Sequence, residues 1–123
     1  MILLDASAWI EFFREGNCLK VEQAIKSKEA CTSMITFAEI VNWCSKNNKN
    51  AVERINIIKN GSEIVNVNEG IIIAAGRLNY ERKKVNQKWG MMDSFILATA
   101  QLYNLKILTK DKDFSDLENA ELL

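Results

Sequence analysis

Short apolar runs alternating with stretches of helical periodicity constrain this chain more than any other feature. Ile2-Leu3-Leu4 is a continuous apolar run, the pattern of a strand buried on both faces, and it stops at Asp5. A helix is predicted at once: Ser7 is a good N-cap, Ala8, Trp9, Phe12 and Phe13 recur at helical spacing, and Gly16 is placed to end it. A short helix over 19–27 follows, then Ala30-Cys31-Thr32 as a weaker strand. Thr36 to Glu39 opens a helix that carries Phe37, Ile40, Val41 and Cys44. Beyond Asn47-Asn48 a helix over 51–59 ends at Asn60-Gly61, 64–67 reads as a third strand, and 71–84 is helical through Ile72, Ala75, Leu78 and Asn79. A helix over 93–103, apolar around most of its circumference through Leu102, precedes the strand at 106–109, a charged loop at 110–114 and a short edge strand at 120–123. Parallel neighbours need crossover helices, so the alternation predicts an α/β fold with a central, mainly parallel sheet. With no proline, five glycines and no repeat or linker-like shift, residues 1–123 are expected to form one unit.

Composition narrows the chemistry. A chain of 123 residues can bury a sizeable core without disulfides or a structural metal. The 16 Lys and Arg offset 16 Asp and Glu, so attraction to nucleic acid has to come from a local basic face rather than from net charge. There is no histidine, which removes imidazole zinc sites, Ser-His-Asp and Cys-His nucleophile systems and imidazole general bases. An enzyme of this composition relies on carboxylates. Cys18, Cys31 and Cys44 are scattered and read as small buried hydrophobes of a reducing compartment. With neither a leader-like start nor an apolar run of spanning length, the expected location is the cytoplasm, away from membranes.

In an open parallel sheet, ligands bind outside the carboxyl ends of the strands. Asp5 directly follows the first strand, and Asp111 and Asp113 follow the last clear one. Glu39 lies in the first turn of the helix leaving the second strand. Asp93 opens a helix that runs antiparallel to the strand at Ile107, which returns its N-terminus to the same edge. Each acid alone has a plainer use: Asp5 as a helix cap, Glu39 as a capping-box partner of Thr36, Asp93 as an N-cap, Asp111 with Asp113 in an Asx-turn. Together they would repel strongly in a low-dielectric crevice unless a cation joined them. All-carboxylate ligation suits a hard ion, Mg²⁺ or Mn²⁺. Such an ion supports phosphodiester hydrolysis by orienting the phosphate, offsetting charge on its oxygens and activating a water, with no histidine required.

These residues resemble the PIN domain nucleases, and among them the short VapC-type toxins of toxin–antitoxin pairs. Leu4-Asp5-Ala6-Ser7-Ala8-Trp9-Ile10 is similar to the family's opening, with Ala6 where the family commonly has Thr. Thr36-Phe37-Ala38-Glu39-Ile40 resembles its second acidic motif, Asp93-Ser94-Phe95-Ile96-Leu97-Ala98-Thr99-Ala100 the third, and Leu108-Thr109-Lys110-Asp111-Lys112-Asp113-Phe114 the fourth. The match runs in order over essentially the whole chain. It implies a three-layer α/β/α PIN-like fold and a metal-dependent endoribonuclease whose catalytic acids are Asp5, Glu39, Asp93 and Asp111. Asp5, Asp93, Asp111 and Asp113 are the implied metal ligands, the last two competing for the fourth position. Ser7 and Thr109 match positions whose hydroxyls support the acids by hydrogen bonds. A homodimer is implied, together with a cognate antitoxin protein whose C-terminal segment enters the acidic groove.

RNA as the implied substrate calls for cations near the acids. Lys83, Lys84 and Lys88 cluster with Arg82, and Lys46 and Lys49 follow the Glu39 helix, but Lys110 and Lys112, flanking Asp111, are best placed to meet phosphates. Trp9, Phe12, Phe13, Phe37 and Trp43 fit a core or dimer interface better than a base-stacking platform. A receiver-type phosphoacceptor domain would need adjacent acids after the first strand and an acid after a middle strand, where this chain has a lone Asp5 and Val67-Asn68. A haloacid-dehalogenase-type phosphatase would need an acid at position 7, which is Ser7. Within the resemblance, the alternatives are an RNA-processing nuclease without an antitoxin and a catalytically inactive PIN-fold scaffold; four occupied acidic positions argue against the second.

Overall fold

The computed structural model describes residues 1–15 and 18–123. Its five strands are β1 (Ile2–Leu4), β2 (Ala30–Ser33), β3 (Glu63–Val65), β4 (Lys106–Thr109) and β5 (Ala120–Leu122), ordered β3-β2-β1-β4-β5 with every pairing parallel. The helices among the described residues are α1 (Ala6–Glu15), α2 (Leu19–Lys26), α3 (Thr36–Lys46), α4 (Ala51–Gly61), α5 (Glu69–Val85) and α6 (Met91–Tyr103).

Strand order dictates which face each helix takes. From β1 to β2 to β3 the chain steps in one direction, and from β3 to β4 it steps back across β1, so right-handed crossovers put α1–α4 on one face and α5–α6 on the other. The strands' period of two divides the core accordingly. Leu4, Ala30 and Leu108 pack with Trp9, Val21, Ile40 and Ile58 from α1–α4, whereas Leu3, Cys31 and Ile107 pack with Ile96, Leu97 and Ala100 of α6 and with Trp89 and Phe114. Coverage on both faces is why such short strands read as unbroken apolar runs. A smaller cluster of Ile71, Ala75 and Ala98 holds α5 against α6. Among the described residues no helix is long and apolar enough to cross a membrane.

Several element boundaries differ from the sequence expectation for identifiable reasons. α1 begins at Ala6, ahead of Ser7, because Asp5 supplies the cap: its Oδ1 accepts the Ala8 N–H at 3.0 Å. The stop expected at Gly16 lies outside the described residues. β3 ends at Val65, two residues early, since Asn68 already turns the chain into α5 by accepting the Ile71 N–H at 2.9 Å. In α5 the buried residues are Ile71 and Ala75, and Ile72 is 51% exposed; three consecutive isoleucines gave periodicity nothing to choose between. Val41 on α3 and Leu102 on α6 also face outward. α6 starts at Met91 with Gly90 at the N-cap, so Asp93 sits in the third helical position rather than at the cap.

Candidate active site

Strand register assembles the first part of the site. Leu4 pairs with Leu108, and the Asp5 N–H continues the ladder to the Leu108 carbonyl, so Asp5 emerges level with Thr109 at the point where the strand order reverses, between β1 and β4. Asp5 is only 7% exposed. Its Oδ1 accepts the Ser7 hydroxyl at 2.7 Å and the Ala8 N–H, and its Oδ2 accepts the Thr109 hydroxyl. The two hydroxyls are aimed by backbone donors, because Ser7 Oγ accepts the Lys110 N–H at 2.8 Å and Thr109 Oγ1 accepts the Asp111 N–H at 3.0 Å. Each hydroxyl has one proton, and both are committed to Asp5, so the 3.1 Å approach of Ser7 Oγ to Thr109 Oγ1 is a consequence of the shared acceptor.

The remaining acids gather around this cradle. Glu39 is on α3, one turn in, and is not a capping residue: Ile35 occupies the N-cap with no side-chain cap bond. Burial, followed by the charges of Asp5, Asp93 and Asp111, pushes the Glu39 carboxyl from an ordinary 4.5 up to about 7. Asp93 Oδ2 accepts the Gly90 N–H at 3.1 Å. Burial pushes the Asp93 carboxyl from 3.8 up to about 6; the Gly90 bond opposes this, and the charges of Asp111, Asp5 and Asp113 add to it. Asp5 is likewise raised, mainly by burial and slightly by Asp111, against the lowering effect of the Thr109, Ser7 and Ala8 donors. Asp111 lies at the start of a 3₁₀ turn over Lys112–Phe114, where its Oδ1 accepts the Asp113 N–H at 2.9 Å, the Asx-turn foreseen as its plainer use. Asp111 acts on Asp5, Glu39 and Asp93 alike, whereas Asp113 acts on Asp93.

The acids therefore come from four segments into mutual electrostatic range. They stop short of a closed cage, since among the described residues no three His, Cys, Asp or Glu side chains are grouped tightly enough to enclose a metal ion. The donor set nevertheless fits a hydrated hard cation. Mg²⁺ takes one or two carboxylates directly and keeps several waters. Among the described residues no lysine or arginine forms an ion pair with Asp5, Glu39 or Asp93.

The expected phosphate-binding lysines are placed less simply. The Lys110 ammonium is paired with Glu11 of α1 at 2.7 Å, and Lys112 is exposed on the 3₁₀ turn. Arg82 is no part of a basic surface cluster. Its guanidinium forks onto Asp116 at 2.8 and 2.9 Å, donates to the Asp113 carbonyl at 3.1 Å and lies 4.4 Å from the centre of the Trp89 ring. Sequence reading missed this, and missed Asp116 entirely, because the partners are 34 residues apart with no local pattern joining them.

A parallel sheet with carboxylates from four segments at its strand-order reversal defines an α/β protein with an acidic crevice. The sequence matches the model of the PIN domain over residues 2–120, and the chain belongs to the PIN domain family, a family of nucleases. No curated protein matches it. Solved structures share the fold. A toxin–antitoxin complex from Klebsiella pneumoniae is 24% identical with a TM-score of 0.75, covering 98% of this chain and 96% of its counterpart. VapBC2 from Rickettsia felis, bound to a promoter DNA fragment, is 21% identical with a TM-score of 0.79, covering 100% and 98%. VapC20 from Mycobacterium tuberculosis, a sarcin-ricin loop cleaving toxin, is 16% identical with a TM-score of 0.73, covering 96% and 95%.

Proposed function

We propose that this protein is a divalent-metal-dependent endoribonuclease acting in the cytoplasm as the toxin of a VapBC-type pair. The observation that carries the reading is the set of carboxylates Asp5, Glu39, Asp93 and Asp111 at one edge of the sheet, the first three raised by burial and by the charge of Asp111, with none of the four ion-paired to a lysine or arginine among the described residues. Asp5, Asp93 and Asp111 would hold Mg²⁺ or Mn²⁺, with Asp113 beside Asp93; Asp111 is favoured as the fourth acid because its charge reaches the other three. When bound, the ion supplies charge stabilisation at the scissile phosphate and a water of lowered pKa. Ser7 and Thr109 fix Asp5 in direction by donating to it, which favours its ionised form against the effect of burial. Glu39, whose carboxyl titrates near neutrality, is suited to take a proton from a water and to release it again.

Partners follow from the same reading. A cognate antitoxin and a second copy of the chain are proposed, the latter supported by Ile72 and Ile73, which are 51% and 48% exposed on α5, and by Met34 at 46% near the acidic edge. RNA phosphates would meet Lys112 and, once it leaves Glu11, Lys110. Purified chain should cleave RNA with Mg²⁺ or Mn²⁺, and Asp93→Asn should abolish cleavage while leaving the circular dichroism spectrum unchanged. Cleavage by Asp93→Asn at the wild-type rate would remove the proposal.

A further inference from the structure

Two of the acids, Asp93 and Asp111, stand on segments that no strand pairing joins directly: the first turn of α6 and the connection from β4 to β5. What joins them is α5. Arg82 reaches the β4–β5 connection through its bidentate bond to Asp116 and its bond to the Asp113 carbonyl. Its guanidinium also stacks on Trp89, which is fully buried, packs on Phe114 with ring centres 4.9 Å apart, and donates its Nε1–H to Ser94 Oγ at 2.7 Å. Ser94 follows Asp93, and Asn79, one turn before Arg82, accepts the Ser94 hydroxyl at 3.3 Å. One face of α5 thus grips both acid-bearing segments. An exposed ion pair would contribute little. This guanidinium differs: its side chain is 12% exposed, forked and stacked, an arrangement the point charge of a lysine cannot reproduce.

We propose that Arg82 is a positioning residue that sets the separation of Asp93 from Asp111, and thereby the affinity of the acidic site for its divalent ion. The inference rests on the metal-site reading above. It is tested on the full chain with Arg82→Lys, Arg82→Met and Asp116→Asn, by calorimetric titration of Mn²⁺, by steady-state RNA cleavage at saturating Mn²⁺, and by amide hydrogen exchange. Both Arg82 variants should weaken Mn²⁺ binding about tenfold or more, and Asp116→Asn less, the scale usual for residues that orient metal ligands. KM for RNA should not change. Exchange should quicken at the Asp113 and Phe114 amides, which are bonded to Asp111, but not in β1 or β4. A merely structural arginine would lower thermal stability and leave Mn²⁺ affinity alone. Affinity within twofold of wild type in Arg82→Lys and Asp116→Asn overturns the inference, and these two decide the matter should Arg82→Met not fold. If the wild-type chain binds no Mn²⁺, the metal-site reading fails first and takes this inference with it; wild-type binding with unaffected variants overturns this inference alone.

Discussion

Asp5 and Glu39 meet at the same edge of the sheet under opposite arrangements. Burial is the largest cause raising both carboxyls. Around Asp5, two hydroxyls and a backbone N–H oppose that penalty and fix the carboxylate in one orientation. Around Glu39 the other causes are the charges of three further acids, all pushing the same way. Asp93 lies between the two extremes, with a single backbone donor from Gly90. The difference separates a carboxyl held in one direction by its donors from one that meets only burial and like charge.

The widest gap between the two should appear on neutralising them. Asp5→Asn keeps size and removes the anchored charge, so RNA cleavage should fall by a thousandfold or more, a loss on the scale of several kcal/mol of transition-state stabilisation. Mn²⁺ binding should be lost with it, and chelation of metal from the wild type should reproduce the defect. Glu39→Gln should cost about a hundredfold in rate, as removal of a positioned proton acceptor does, while Mn²⁺ still binds. Calorimetry and cleavage assays on the two variants check the split; equal loss of metal binding in both would erase the distinction.

Thr109→Val attacks the anchor from behind. It removes the Asp5 Oδ2 donor and also strips the Asp111 N–H of its acceptor. Leaving buried polar groups unpaired costs about 1–3 kcal/mol each, so a clear drop in Tm is expected alongside weaker Mn²⁺ binding. Unchanged stability would mean that the cradle is not what holds Asp5.

How much of this was legible in the sequence depends on the range of the interaction. The α/β class followed from apolar runs and helical spacing, because both are local consequences of burial on one or two faces. The edge carrying Asp5, Glu39, Asp93, Asp111 and Asp113 followed from strand direction alone. Both Ser7 and Asp5 are candidate caps of α1 by residue type, and the Ala8 N–H, which donates to Asp5, decides between them. Ile71, Ile72 and Ile73 look alike to periodicity, so Ile72 is expected on the buried face of α5 where Ile71 stands, whereas Ala75 is buried as its spacing predicts. Arg82, Trp89 and Asp116 were invisible as a unit, because guanidinium stacking and forked pairing across 34 residues leave no spacing to read.

A subtler separation concerns pH. The folded-state values of about 7 for Glu39 and about 6 for Asp93 lie above their ordinary values of 4.5 and 3.8. The folded protein therefore retains protons that the unfolded chain releases, and the stability this confers is present at low pH and lost as pH rises from about 4 to about 7. In chelator, Tm should fall across that window, and added Mg²⁺ should restore it at the upper end, where both groups are ionised and ready to bind. Glu39→Gln should flatten the portion between about 6 and 7, where the Glu39 carboxyl titrates. A variant profile superimposable on the wild type would show that Glu39 is not the group responsible.

The smallest expected effect tests whether a cation is held away from the acids. Lys110 serves Asp5 through its backbone, donating its N–H to Ser7, while its ammonium turns to Glu11. The Lys110 side chain is 53% exposed, so the pair contributes little to stability and Glu11→Gln should leave Tm nearly unchanged. What changes is the availability of the ammonium. Freed from Glu11, it can swing toward a phosphate, and KM for RNA should fall by about two- to threefold at low salt and converge on the wild-type value as salt screens the contact. The turnover number should stay constant, because neither Glu11 nor the ammonium belongs to the carboxylate set that perturbs Glu39. A KM that rises instead would mean that the Glu11–Lys110 pair itself shapes the RNA path, and would move Glu11 from the margin of the site into it.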